Sequence, residues 1–271
     1  MERACKHVQA ASRLLSLGSG SGKATPLVRS LVKAISCRAL PGYAEAIRTA
    51  GKDDRAAVAS ALLGRSNRAY AVAMRGVYKA HPRNPDVAAL FAEALMNLAP
   101  WRLWPHSVPT TLTGAHTTVT TTKNHPSPLA HVVASLSESH PFTAEALAVL
   151  EAVKEVHPGV AHFYVHLIEM APDPHTVARA LPHCRQLRSQ WPACGHLLHM
   201  ASHIYSQLGM YEDAIAVNQS ALAQDRCFAR LRGSDNYYHG YRVHTHHALV
   251  WSAMLAGQYA TALHTAEVTA Y

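Results

Sequence analysis

The sequence matches itself when it is shifted by 34 residues, and this repeat constrains the fold more than any other feature. Ala146, Ala180 and Ala214 come into register, as do Pro158 and Pro192. A repeat of this length accommodates two helices and a turn, with small residues where the helices touch and proline where the second helix ends. Because no strand-like alternation persists along the chain, the sequence predicts an all-α fold built from helical hairpins.

The same register places histidines at matching positions of the first helix of each hairpin. When these helices start at Ala161, Gly195 and Val243, each of them carries a histidine at its second position. Side chains three, four and seven residues apart lie on one face of a helix, so further polar residues share that face. The predicted inner face of the stack carries His162, His166, Glu169, His196, His199, His203, His244 and His247.

These side chains suit a transition metal ion. Neutral imidazoles bind zinc, copper, iron or nickel, and two histidines three or four residues apart on a helix can hold one ion. Three pairs have that spacing: His162 with His166, His196 with His199, and His244 with His247. Glu169, together with Glu93 or Asp86 from an earlier hairpin, could complete the ligand set or act as a general base toward a metal-bound water.

Other interpretations of the histidines remain open. The same positions in helical-repeat grooves can bind peptide carboxylates through charge-assisted hydrogen bonds, which needs no metal. The imidazoles could also bond one another and backbone groups between stacked helices. The sequence therefore favours a binding protein whose groove holds zinc, copper or iron, with a small molecule or peptide as partner. The alternatives are a metal-dependent hydrolytic or oxidative enzyme using the same residues, and a metal-free peptide-binding scaffold.

Charge and composition exclude several classes of protein. The formal net charge is +8, but residues 3–44 hold seven basic residues and no acidic one, whereas residues 41–271 hold 18 basic and 16 acidic residues. Because the body is nearly neutral and has no basic stripe, we expect no nucleic-acid partner. No apolar run approaches the roughly 20 residues of a membrane-spanning helix. Five cysteines without a CxxC pair indicate reduced thiols.

Composition also divides the chain into four segments. Residues 1–40 are predicted to be a basic leader or a flexible N-terminus and resemble an organellar transit peptide, although a helix of the stack is an alternative. Residues 41–104 are predicted to form N-terminal helical hairpins. Residues 142–271 are predicted to form the repeats with the histidine-lined groove. Residues 105–141 contain eight threonines, and this composition predicts that they form a disordered insertion. We expect a soluble protein of the cytoplasm or, after removal of the leader, of an organelle.

The last hairpin departs from the period. Ala214 and Ala262 are 48 residues apart instead of 34, and the extra residues lie near the sequence RLRGSDNYYHGY. We expect a polar, tyrosine-rich loop there that folds over one mouth of the groove. The last two helices, predicted over residues 243–256 and 258–271, lack the polar capping helix of a solenoid end, as expected of a fragment or of an end-to-end dimer.

Several phrases of the sequence are similar to those of a known family. They lie within residues 53–104 and 142–271 and read AEALMNLAPWRLW, AHFYVHLIEMAPDP, GHLLHMASHIYSQLGMYEDAIAVNQ and GYRVHTHHAL. With the period of 34 residues, they make the chain resemble a histidine-rich family of tetratricopeptide-repeat (TPR) proteins, most of which have no assigned function. The resemblance implies a right-handed α-superhelix of TPR-like hairpins, an α-solenoid, with a histidine-lined interior, and it implies no reaction. The chain departs from that family in the insertion after Trp104 and at Ala201, where relatives tend to have proline.

Overall fold

The computed structural model describes residues 2–17, 24–104 and 140–270, and every regular element in these ranges is a helix. This confirms the all-α prediction for the described residues, while the right-handed superhelical arrangement stays a prediction. The predicted insertion lies outside the described residues, apart from His140 and Pro141. Within the described ranges, no helix is both long enough and apolar enough to cross a bilayer.

The chain forms two compact units, each considered by itself. The first unit comprises Met1–Pro100 and Glu145–Lys154. The second comprises Trp101–Ala144 and Glu155–Tyr271.

The first unit is built around one long helix. Its helices are α1 (Glu2–Leu17), α2 (Pro26–Ser36), α3 (Tyr43–Thr49), α4 (Arg55–Ala80), α5 (Pro85–Met96) and, from Glu145 onward, α6 (Pro141–Ala152). Helices α2, α3 and α5 all pack against α4. Residues 26–36 of the segment predicted as a leader are therefore helical and packed, and removal of a leader stays a prediction.

Local sequence signals set the starts of the helices in this unit. Thr25 precedes α2, and its hydroxyl accepts a hydrogen bond from the backbone N–H of Val28. Asn84 caps α5 in the same way, with Oδ1 2.9 Å from the backbone nitrogen of Val87. Both helices have proline in the first turn, where the missing N–H costs no hydrogen bond.

The second unit contains the repeats. Its remaining helices are α7 (Pro158–Ile168), α8 (Pro174–Ala178), α9 (Leu181–Gln190), α10 (Gly195–Gln207), α11 (Tyr211–Arg232), α12 (His239–Leu255) and α13 (Tyr259–Ala270). The register alanines Ala180 and Ala214 are completely buried, and Ala262 is 7% exposed. Helix α10 contacts both α7 and α12. The first helices of successive hairpins therefore lie side by side, which is the arrangement that the repeat requires.

The extra residues of the last hairpin lengthen two helices instead of forming a long loop. Helix α11 continues to Arg232 because no glycine or proline interrupts it, and Gly233 then ends it with a φ of 78°. Helix α12 starts at His239, so only residues 233–238 connect the two helices. The predicted long loop is thus a short turn followed by an added helical turn.

The chain on the two sides of residues 105–139 is held together by hydrogen bonds. The carbonyl oxygen of Leu103 accepts one from the backbone nitrogen of His140 at 3.1 Å and one from Oγ1 of Thr143 at 2.5 Å. The next residue, Trp104, is 2% exposed, and its indole Nε1 donates to the carbonyl oxygen of Leu167 at 2.6 Å. These bonds fix the C-terminal end of α7, which carries part of the candidate site.

Helix α10 starts at a glycine because it meets α11 too closely for a side chain. A Cβ atom at Gly195 would lie 2.0 Å from Oδ1 of Asp225 and 2.9 Å from the carbonyl oxygen of Ala221. The second of these atoms belongs to the backbone and cannot move aside without shifting α11.

We expect Gly195→Ala to destabilise the protein by about 1–3 kcal/mol because it overpacks this contact. Gly76→Ala is the matched control, since it lies inside α4 with nothing within 4 Å of an added Cβ, and it should stabilise the protein by up to about 1 kcal/mol. Urea unfolding followed by circular dichroism measures both changes. Equal midpoints for the two variants would contradict the close approach of α10 to α11.

Candidate metal centre

Imidazoles from three helices of the second unit meet in one cluster. The rings of His162 and His196 have centroids 5.1 Å apart, and those of His199 and His244 are 4.7 Å apart. The repeat thus brings together side chains that are far apart in sequence. The term histidine cluster is used below for His162, His166, Glu169, His196, His199, His203 and His244.

Glu169 connects two of the helices through its carboxylate. Its Oε1 lies 2.7 Å from Nδ1 of His166 on α7, and its Oε2 lies 2.5 Å from Nδ1 of His203 on α10. Since a carboxylate can only accept, both Nδ1 atoms carry the proton, and both Nε2 atoms keep a free lone pair. Carboxylates orient metal-binding histidines in this manner. Glu169 therefore orients His166 and His203 in this structure, because each of its two carboxylate oxygens contacts one of these rings.

His199 lies at the centre of the cluster and is completely buried. Its Nδ1 lies 2.7 Å from Oδ1 of Asn218, and in the tautomer that donates to this oxygen the lone pair is on Nε2. That Nε2 lies 3.0 Å from Nε2 of His203, whose Nδ1 contacts Glu169. In these tautomers two lone pairs face each other, and they repel unless a cation lies between them.

The spacing of these nitrogens matches a shared ion. Imidazole nitrogens bind zinc at about 2.0–2.1 Å, so two of them around a tetrahedral ion are about 3.3 Å apart. A second pair has nearly the same spacing, since Nε2 of His162 lies 3.1 Å from Nε2 of His196. The other ring nitrogen of His196, Nδ1, is buried and has no hydrogen-bond partner among the described residues.

The potential ligands fall into three groups among the described residues. In each group the ligand atoms lie within 4.8 Å of one another. One group is the hydrogen-bonded set of His166, Glu169 and His203. The other two consist of imidazoles only: the first triplet is His162, His166 and His196, and the second triplet is His199, His203 and His244.

Burial and mutual repulsion keep four histidines of the cluster neutral. Loss of solvent, followed by the neighbouring histidines, lowers the pKa of His162 to about 3 and that of His196 to about 4. The same causes lower the pKa of His199 and of His244. Burial alone would raise the pKa of Glu169, but hydrogen bonds from His166 and His203 lower it to about 2. These four histidines are therefore in the unprotonated form that binds metal ions.

Three residues that the sequence did not single out support the cluster. The Tyr238 hydroxyl donates to Oδ1 of Asp225 at 2.9 Å and accepts from the backbone N–H of His196 at 3.2 Å. The ring of Tyr241 packs edge-on against His196, with centroids 4.7 Å apart. Tyr238 and Tyr241 belong to the segment predicted to fold over the groove, whereas no sequence signal marks Asp225.

The remaining predicted residues lie outside these groups. His247 is exposed on α12, three residues after His244, and its role as a ligand stays a prediction. Glu93 belongs to the first unit, where Arg38 donates to its carboxylate at 3.1 Å and Asn97 donates as well. Asp86 is also in the first unit, at the start of α5.

The lowered histidine pKa values make the metal-free protein sensitive to acid. The unfolded state titrates near the ordinary histidine pKa of 6.5, whereas the folded state titrates well below it. The unfolded state therefore binds more protons between these values, so the free energy of unfolding falls as the pH decreases through 6.5. We expect a loss of about 1–3 kcal/mol between about pH 7.5 and 5, measured by urea unfolding after chelation.

The control for this dependence is the double variant His162→Gln, His196→Gln, which lacks two of the titrating groups. Its stability should vary less with pH than that of the unchanged chain. A urea midpoint that stays constant over this pH range in the unchanged chain would contradict a neutral, buried cluster.

Comparison with known proteins gives no further guide to this site. No family model matches the chain, and the search of curated proteins finds no match.

Proposed function

We propose that this chain is a helical-repeat protein that binds a transition metal ion through the histidine cluster. The observation that carries the proposal is the contact between His199 and His203. When Asn218 and Glu169 accept the Nδ1 protons of His199 and His203, the two Nε2 lone pairs face each other across 3.0 Å. A positive charge at that point removes the repulsion, and a metal ion bound to both nitrogens supplies it.

A proton is the other cation that would satisfy this pair, and burial disfavours it. The pKa of His199 is well below its usual range because burial and the neighbouring His203 both oppose a charged ring. At neutral pH a metal ion therefore competes for Nε2 of His199 with little opposition from protons. The contact between His162 and His196 is less decisive, because an ordinary N–H···N hydrogen bond accounts for it.

The ligand atoms of the cluster favour some metal ions over others. The two triplets contain only imidazoles, with no thiolate, and hard oxygen-seeking ions such as magnesium prefer carboxylate and water. Imidazole nitrogen suits zinc, copper or iron, which are the metals expected from the sequence. We include in the proposal the TPR-like superhelix, which is supported by the buried register alanines and by the side-by-side first helices.

A metal-dependent enzyme is a second candidate, and the number of ligands favours it. Three imidazoles leave at least one coordination position open, as in catalytic zinc sites, whereas structural zinc sites take four protein ligands. A water molecule at the open position would have a pKa of about 7 and could act as a nucleophile. Glu169 is poorly placed as its general base, since both carboxylate oxygens already accept hydrogen bonds.

Metal content of two matched variants tests the proposal. His244 and His247 are both exposed and lie on the same helix, but only His244 belongs to a triplet. In chain purified without a histidine tag, we expect His244→Ala to weaken zinc binding by about tenfold or more, and His247→Ala to leave it unchanged. Isothermal titration and elemental analysis give the affinity and the content. Negligible zinc binding by the unchanged chain would refute the metal-binding proposal.

A second test addresses the proton on His199. Asn218→Asp keeps an acceptor next to Nδ1 and should retain metal binding, whereas Asn218→Leu removes the acceptor and should weaken it by about 10–100-fold. Circular dichroism at the same pH checks that each variant is folded. If Asn218→Asp binds no metal while it remains folded, the orientation of the His199 lone pair is wrong.

A further inference from the structure

The histidine cluster contains two complete sets of imidazole ligands, and they share no residue. The first triplet draws on α7 and α10, and the second draws on α10 and α12. Each set contains one close Nε2 pair, at 3.1 Å in the first and 3.0 Å in the second. Since three imidazoles suffice for an ion with an open position, each set can hold an ion of its own.

The two triplets are neighbours. The ring centroids of His166 and His203 are 5.3 Å apart, and those of His196 and His199 are 5.8 Å apart. Glu169 joins the triplets, because it binds Nδ1 of His166 in the first and Nδ1 of His203 in the second. Ions held by the two triplets would therefore lie side by side, with one carboxylate orienting a ligand of each.

The positive charge of two such ions exceeds the negative charge of the side chains that would hold them. Six neutral imidazoles leave the charge of two divalent ions uncompensated, and Glu169 is the only acidic side chain in the ligand groups of the described residues. In two-metal sites such as those of phosphatases, both ions contact oxygens of the bound phosphoryl group. The second triplet includes the exposed His244, so an anion from solution can reach the cluster.

We propose that the histidine cluster holds two transition metal ions, one in each triplet, and that the pair binds an oxyanion of the phosphate class. This inference rests on the proposed metal binding. A tetrahedral phosphate group provides one oxygen for each ion and a charge near −2 that offsets the excess. Free phosphate and phosphate monoesters share this group, and the titrations below distinguish them.

The number of ions per chain is the first test. Zinc-loaded chain should contain about two ions by elemental analysis, as expected for a dinuclear site. His162→Ala removes a ligand of the first triplet only, and His244→Ala removes one of the second only, so each should retain about one ion. The combined variant should retain none, and His264→Ala, at an exposed histidine of α13 outside the ligand groups, should retain both. A single ion in the unchanged chain would overturn the inference while leaving the proposed metal binding intact.

The distance between the ions is the second test. Copper(II) loaded into both triplets should give a spin-coupled electron paramagnetic resonance signal, since the ions are neighbours. His162→Ala and His244→Ala should each give the uncoupled signal of an isolated ion. Uncoupled spectra from chain that contains both ions would show that the sites are separate and would overturn the side-by-side arrangement.

Binding of the oxyanion is the third test. Isothermal titration of the zinc-loaded chain with inorganic phosphate, and separately with phenyl phosphate, should show binding of one or both. Affinity should fall at least about tenfold in His162→Ala and in His244→Ala, because each loses one of the two ions that the oxyanion contacts. Binding of phenyl phosphate alone would identify monoesters as the ligands. Two ions with no binding of either probe would overturn the assignment of the ligand class, and a chain without metal would refute the proposed function itself.

Discussion

A carboxylate that accepts hydrogen bonds from two histidines on different helices organises the candidate site. Glu169 ends α7, and its two oxygens contact His166 on its own helix and His203 on α10. These bonds fix the tautomer of both rings and direct both Nε2 lone pairs away from the carboxylate. Without Glu169, either ring could place its proton on Nε2 and satisfy a neighbouring imidazole, and the cluster would be an ordinary hydrogen-bonded network.

Burial is the second feature on which the proposed metal binding rests. A completely buried imidazole such as His199 does not readily accept a proton, because the charged ring has lost its solvent. A metal ion would offset its own desolvation by binding several nitrogens at once. In the proposed function, the number of donors that converge on each position therefore favours a metal ion over a proton.

The repeat made much of this arrangement predictable from the sequence. The shift of 34 residues relates His162 to His196, and equal positions in successive hairpins came together in space at 3.1 Å. The all-α class and the buried alanines follow from the same register. Two features were missed because they do not repeat: the lengthening of α11 and α12, and the support that Asp225 and Tyr238 give to His196.

The sequence predicts only one of the two contacts of Glu169. Its position three residues after His166 marks it as a neighbour on the helix surface, and such a neighbour suits either a ligand or a base. Its second contact, with His203, depends on how α7 lies against α10, which no local pattern records. The tautomer of His199 likewise depends on Asn218, a residue of α11 that sequence spacing does not connect with the histidines.

The side-by-side packing of α7, α10 and α12 ties each ligand set to a boundary between hairpins instead of to a single element. Duplication of one hairpin would copy a boundary together with its imidazoles, whereas loss of a hairpin would dismantle the sets on both of its sides. The number of ions that such a protein could hold would thus follow the number of boundaries between hairpins. Gain or loss of one hairpin would add or remove whole ligand sets.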